Sequence, residues 1–276
     1  MDYPSPQRSS LDGPQQSCTM TQPAFNNPEK AEYINIVHIC FNIRETDTIE
    51  HLKCSSIQLH SQHSSKSKTQ APTNKNTQIS SSTPYPRPHD SSLSPTTTAL
   101  LIIDMQSDFL SPSGYLASQG HSVERFTPVI PRLQSLLAVF RNAKSAIYYT
   151  REGHADMSTV STRELHRSSV NGTKIGSKGP LGRLLIRGEE GHEIIEELRP
   201  VEGEMVIDKP GRGAFTHTEL DLSLRAKGVR NLLVCGVTAD ACVSSTVREA
   251  SDRAYDVCVL EDGVESVTEE LKAWAL

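Results

Sequence analysis

Hydrophobic and polar positions divide the chain into two unlike parts. Up to about residue 95, large apolar side chains are sparse among Ser, Thr, Pro, Gln and Asn. Such a stretch cannot bury enough surface to offset its chain entropy, so residues 1–95 read as disordered. One island interrupts it, YINIVHICFNI at 33–43, whose alternation suits a short strand or an interaction segment, or equally a sticky piece without fixed structure. From residue 96 the pattern changes abruptly. The apolar run at 99–103 reads as a buried strand, and residues 123–144 carry Ile130, Leu133, Leu136, Leu137 and Phe140 at helical spacing, with the regular helix expected to begin near Pro131. A second strand is expected at 146–150. A polar, Gly-rich excursion covers 158–187 and a short helix 189–198. A third strand opens at 205 and is ended by Pro210 and two glycines. A helix at 218–227 stops at Gly228, strands follow at 231–237 and 255–261, and a last helix begins near 267. Strands alternating with helices predict a Rossmann-like, three-layer α/β/α fold with a mainly parallel sheet over residues 96–276.

Composition narrows the function classes. The 28 basic and 33 acidic residues give a net charge of −5 without a basic stripe, which argues against nucleic acid as a partner. No run approaches the ~18 apolar residues of a membrane span. The first residues lack the basic start and apolar core of a secretory signal. Six cysteines are scattered without a C-x-x-C pair. Cys235 and Cys258 sit in apolar runs as buried thiols, so the compartment reads as reducing and most simply cytoplasmic. No zinc ligand set, nucleotide fingerprint or flavin motif is visible, so neither a metal nor a cofactor is expected. The missing glycine fingerprint also counts against a dinucleotide-binding oxidoreductase.

Three residues then acquire a shared meaning. Asp104 directly follows the strand at 99–103, Lys209 ends the strand at 205–209, and Cys242 lies near the start of the helix after 231–237. Ligands of open parallel sheets bind off the carboxyl ends of strands, where all three are expected. Each alone has a plainer reading: Asp104 as a turn residue, Lys209 as an exposed cation, Cys242 as a small apolar residue at a helix start. A cysteine at a strand-to-helix corner also meets unpaired N–H groups and the positive end of the helix dipole, which favour the reactive thiolate. A thiolate can attack a carbonyl and hold the acyl group as a thioester. Asp104 would take the thiol proton and deliver it to the departing nitrogen, while Lys209 would orient the carboxylate and stabilise the thiolate. The N–H groups of Thr238 and Cys242 are candidate oxyanion donors. Asp108 reads as a capping or structural carboxylate, and His154 as a ligand, a base, or a hydrogen-bonded loop residue.

These stretches, LLIIDMQSDFL, VIDKPGRGAF and CGVTADACVSSTVREASDRAYDVCVLED, resemble the three signatures of the isochorismatase-like cysteine hydrolases. The resemblance covers about residue 98 to the end. It implies an Asp104–Lys209–Cys242 triad, a cis peptide before Thr238 that turns the oxyanion N–H groups inward, and a small amide as substrate. REGH at 151–154 and GPLGRLLIRGEEGHEIIEEL at 179–198 look most like the biuret and ureidoacrylate amidohydrolase branch, which cleaves C–N bonds of small urea-like amides. The histidine-rich metal-binding stretch of nicotinamidases is absent, and Cys242 argues against true isochorismatase activity. Phe109, Arg212 and Phe215 are candidate substrate-binding residues by position. The family commonly forms oligomers, so a homo-oligomer is among the partners the resemblance implies. The family pattern usually continues beyond the position of Leu276, through the rest of a helix and a final strand and helix. A shortened C-terminal edge keeps a second reading open, a non-catalytic relative that acts as a binding or scaffold protein.

Overall fold

The computed structural model describes residues 78, 79, 82–169 and 173–276. The region expected to be disordered, with the island at 33–43, lies outside the described residues as far as residue 77. Its described end is packed. Ile79 and Leu93 are 2% and 3% exposed, and Ile79 bridges Arg87 in antiparallel fashion. Asn231 donates its side-chain amide to the Ser92 carbonyl at 3.2 Å. Packed structure therefore begins ahead of residue 96. The few apolar side chains of this stretch find a sheet edge to cover, and its serines find hydrogen-bond partners.

Five parallel strands form the sheet: β1 (Thr98–Ile103), β2 (Ala146–Glu152), β3 (Met205–Lys209), β4 (Asn231–Val237) and β5 (Asp256–Glu265). Their spatial order is β3-β2-β1-β4-β5. Every residue of β1 and β4 is buried, which explains why both read as unbroken apolar runs rather than as an alternation. Leu100 and Ile102 point to one face. There they join a core with Leu133, Leu137 and Phe140 of helix α3 (Val129–Asn142), which follows the single-turn helices α1 (Ser107–Leu110) and α2 (Tyr115–Ser118). Ala99, Leu101 and Ile103 point to the other, against Leu220 and Leu224 of α5 (Leu220–Ala226) and Ala250 of α6 (Ser244–Asp252). The helices thus cover both faces, giving the expected three layers. No helix among the described residues is long and apolar enough to cross a membrane.

Several elements differ from expectation for physical reasons. Helix α3 begins two residues before Pro131, because an N–H in the first turn has no intrahelical partner to lose. β2 runs on through Arg151 and Glu152, whose register partners are Asp208 and Lys209 of β3. The helix expected at 189–198 is instead two 3₁₀ turns, Glu190–His192 and Glu196–Leu198. Between them Ile194 bridges Gln106, and backbone bonds link Ser107 N–H to Glu193 and Ile195 N–H to Met105. This tertiary pairing outweighs local helix preference. The excursion is also structured. It holds α4 (Thr162–Arg167) and a two-residue antiparallel pair, Lys178–Gly179 with Gly182–Arg183.

Candidate active site

The strand order brings four side chains together where the order of the strands reverses, between β1 and β4. Lys209 ends β3, Glu152 ends β2, Asp104 follows β1, and Cys242 follows β4. Asp104 adopts a left-handed backbone conformation, φ 50°, uncommon outside glycine though more accessible to Asp than to most residues. Its N–H lies 3.2 Å from both the carbonyl and the hydroxyl of Thr150. Gly236 allows β4 to lie close against β1. At φ 112°, a Cβ there would stand 2.1 Å from the Ile103 carbonyl oxygen. The Val237–Thr238 peptide is cis, as the family resemblance implies. Cys242 sits in a single π turn (Ala239–Val243) ahead of α6, not in the helix's first regular turn.

Lys209 is the hub. Its ammonium lies 2.7 Å from Asp104 Oδ2, 3.3 Å from Glu152 Oε2 and 2.8 Å from the Gly211 carbonyl. Held by these contacts, it acts on the sulfur as a fixed charge. Asp104 is equally committed, since Oδ1 accepts the Thr150 hydroxyl at 2.5 Å. The Cys242 thiol hydrogen-bonds at 3.0 Å to Glu152 Oε2, not to Asp104 as sequence reasoning expected. Glu152 is itself clamped by Gln106, whose side chain accepts from its N–H at 2.7 Å and donates to its carbonyl at 3.0 Å. Asp104, Glu152 and Cys242 offer metal-ligand atoms within 4.8 Å of one another, and the cation among them is the Lys209 ammonium.

Burial dominates the electrostatics. It pushes the Asp104 carboxyl above the usual range, with Lys209 opposing. Burial pushes Glu152 the same way, but the Lys209 ammonium and the Cys242 hydrogen bond outweigh it and hold Glu152 low. Burial opposes the charge on Lys209, yet the surrounding anions raise it above an ordinary lysine. The Cys242 thiol is pushed well up, by burial first and then by Glu152. Burial and the Glu152 carboxylate thus work against the thiolate that the corner position favours, with the Lys209 ammonium opposing them.

A cavity of about 140 Å³ opens over the sulfur, with Cys242, Thr238, Glu152, Phe109 and Arg212 in its walls. The excursion contributes further walls through Glu164 and Ser168. Phe215 is not a wall of this cavity. It packs in the core on the α5 and α6 side, its ring 5.8 Å from that of Tyr255. Asp108 is structural: its Oδ2 accepts from Leu185 N–H at 2.8 Å and ties the excursion down. His154 is a hydrogen-bonded loop residue, with Nδ1 3.1 Å from the Thr159 hydroxyl. Sequence reasoning missed Glu152. The signal was available, because a carboxylate at a strand's end had already singled out Asp104.

The geometry has counterparts among known proteins. The chain is 33% identical over 180 residues to the ureidoacrylate amidohydrolase RutB of Klebsiella pneumoniae, covering 64% of this chain and 76% of that one. A cysteine hydrolase from Pseudomonas syringae superposes with a TM-score of 0.54 at 28% identity, over 63% of this chain and 75% of the other. An N-carbamoylsarcosine amidase from Thermoplasma acidophilum gives 0.50 at 28% identity, over 64% and 90%. Residues 98–276 match the model of the isochorismatase domain, and the chain belongs to the isochorismatase family of hydrolases.

Proposed function

We propose that this hydrolase cleaves the C–N bond of a small urea-like amide through a thioester on Cys242. The observation that carries the reading is the convergence of Asp104, Lys209, Glu152 and Cys242 from the ends of four strands into one cluster, with the sulfur in the wall of a small cavity. A cavity of about 140 Å³ suits a compact substrate. The similarity to a ureidoacrylate amidohydrolase and an N-carbamoylsarcosine amidase supports a ureide or carbamoyl compound.

Sulfur attacks the carbonyl carbon, and the N–H groups of Thr238 and Cys242 receive the developing oxyanion, a contribution of ~3 kcal/mol per donor. The fixed charge of Lys209 stabilises the thiolate as it forms. The C–N bond then breaks, the departing nitrogen gains a proton from the carboxylate cluster, and the acyl group stays on sulfur. Water adds to the thioester, the C–S bond breaks and the thiol is restored. The test is ammonia release from biuret, ureidoacrylate, nicotinamide and simple amides, with Cys242→Ala as control. Release from a urea-like amide that disappears in the control supports the reading. Well-folded protein that turns over none of them defeats it.

A further inference from the structure

The mouth of the cavity over Cys242 carries a different charge from its floor. At the floor the Glu152 side chain is only 12% exposed, and its Oε2 lies 3.0 Å from the sulfur and 3.3 Å from the Lys209 ammonium. Towards the mouth stand Glu164 and Arg167 of α4 and Arg212 of the loop after β3. Arg167 pairs with Glu164, three residues before it. Arg212, 49% exposed, lies 3.9 Å from the other Glu164 oxygen, beyond hydrogen-bond reach, and its guanidinium has no hydrogen bond to the described residues. Two guanidiniums against one carboxylate leave a single positive charge uncompensated. The backbone that carries Arg212 is held on both sides. Lys209 donates to the Gly211 carbonyl at 2.8 Å, the Ala214 N–H to the Thr246 hydroxyl at 3.1 Å, and the Phe215 N–H to Glu249 at 2.9 Å. Thr246 and Glu249 belong to α6, the helix that begins just beyond Cys242. A guanidinium on a fixed backbone without an acceptor presents its planar donor fork to whatever enters the cavity.

We propose that Arg212 determines specificity by pairing with a carboxylate on the substrate, so that the enzyme selects ureido or carbamoyl acids over uncharged ureas. This deepens the amide-hydrolase reading and rests on it. One uncompensated positive charge matches a monoanion better than a phosphate monoester, which carries roughly two negative charges at neutral pH. The fork fits a carboxylate through two parallel N–H···O bonds. Charge also sets the direction in which the substrate lies. A carboxylate at the floor would face Glu152, whereas a carbamoyl NH₂ there can donate to it. The anionic end is thus left to Arg212, with the carbonyl carbon over the sulfur. Glu164 sharpens the choice, since it repels a second negative charge on the ligand and so disfavours diacids.

The experiment sets acids against an uncharged analogue. N-carbamoylglycine and N-carbamoyl-β-alanine carry a carboxylate at different distances from the urea group, and propylurea carries none. Ammonia release gives kcat/KM for each. The concentration that half-protects Cys242 from iodoacetamide, followed on the Cys242 peptide by mass spectrometry, gives binding without turnover. Wild type should prefer at least one acid to propylurea by ~10-fold or more in both measurements, as a charge-assisted hydrogen-bond pair would provide. Arg212→Gln should erase that preference, chiefly through KM. Arg212→Lys keeps the charge but loses the fork, and should retain part of it. Thermal melts check that the variants fold. Wild type that binds propylurea as well as either acid, or binds none of the three, overturns the assignment, as does an Arg212→Gln variant with the wild-type preference. The two readings fail separately. Protection by an acid without hydrolysis of any amide defeats the thioester reading and leaves the carboxylate site standing. Hydrolysis without preference for acids does the reverse.

Discussion

Replacing Lys209 by methionine would remove the ammonium that lies 2.7 Å and 3.3 Å from two buried carboxylates and leave a side chain of similar length. The substitution keeps the volume and deletes the charge. Breaking a buried ion pair from one side typically costs ~3–5 kcal/mol, because the remaining charge stays desolvated and unpaired. Here Asp104 and Glu152 would be left facing each other. In a domain of this size each kcal/mol lowers Tm by ~2–4 °C, so a loss of ~6–20 °C is expected. The penalty has a definite pH dependence. Without Lys209 both carboxyls would titrate well above their unfolded values, so the folded state would bind more protons than the unfolded state. Stability of the variant relative to wild type should therefore be lost as pH rises and regained as it falls. Urea unfolding at pH 5 and pH 8 would read this directly. Adding Glu152→Gln to Lys209→Met should restore part of the stability, since the second change removes a repelling charge. A deficit below ~1 kcal/mol, or one equal at the two pH values, would show that Lys209 is not the electrostatic hub.

Three further outcomes follow from the same geometry. Gly236→Ala should abolish the soluble folded protein, because its Cβ would meet the Ile103 carbonyl at 2.1 Å on a backbone already at φ 112°; expression and circular dichroism would show it. Thr150→Val keeps the shape but deprives Asp104 of its 2.5 Å hydrogen bond, and should cost ~1–3 kcal/mol in urea unfolding together with a lower rate of ammonia release. His192 is fully buried, and burial lowers its pKa from 6.5 to about 4, so stability from its neutral ring is complete above the unfolded value and is lost as pH falls towards 4. His192→Leu should remove that slope, gaining on wild type by roughly 3 kcal/mol at most between pH 7.5 and 4.5.

Fully buried strands were the most legible elements. Asn231–Val237 reads as a continuous apolar run because both its faces are covered, and its bounds match the structure. Asp104, Lys209 and Cys242 were legible because strands end visibly, at a turn, at Pro210 and at a polar corner. Glu152 was hidden by the opposite effect. Its strand appeared to stop at Thr150, where apolar residues give way to Arg151. In space Arg151 continues β2 and pairs with Asp208 at 2.7 Å, so a charged residue extends the strand by one step and carries Glu152 into the site. The setting of the thiol was less legible for a related reason. A helix start favours the thiolate, but burial and a neighbouring carboxylate, both tertiary facts, push the other way. Phe215 illustrates the limit of reading by position: two glycines after Lys209 let the chain turn, and the ring enters the α5 and α6 core instead of the cavity.

The central claim is that Cys242 carries the acyl group. Mass spectrometry of protein quenched during turnover of a urea-like amide tests it most directly. The mass of the Cys242 peptide should rise by that of the carbonyl fragment, the adduct should decay as ammonia release ends, and Cys242→Ala should show neither adduct nor turnover. Ammonia release that persists in Cys242→Ala would contradict the account.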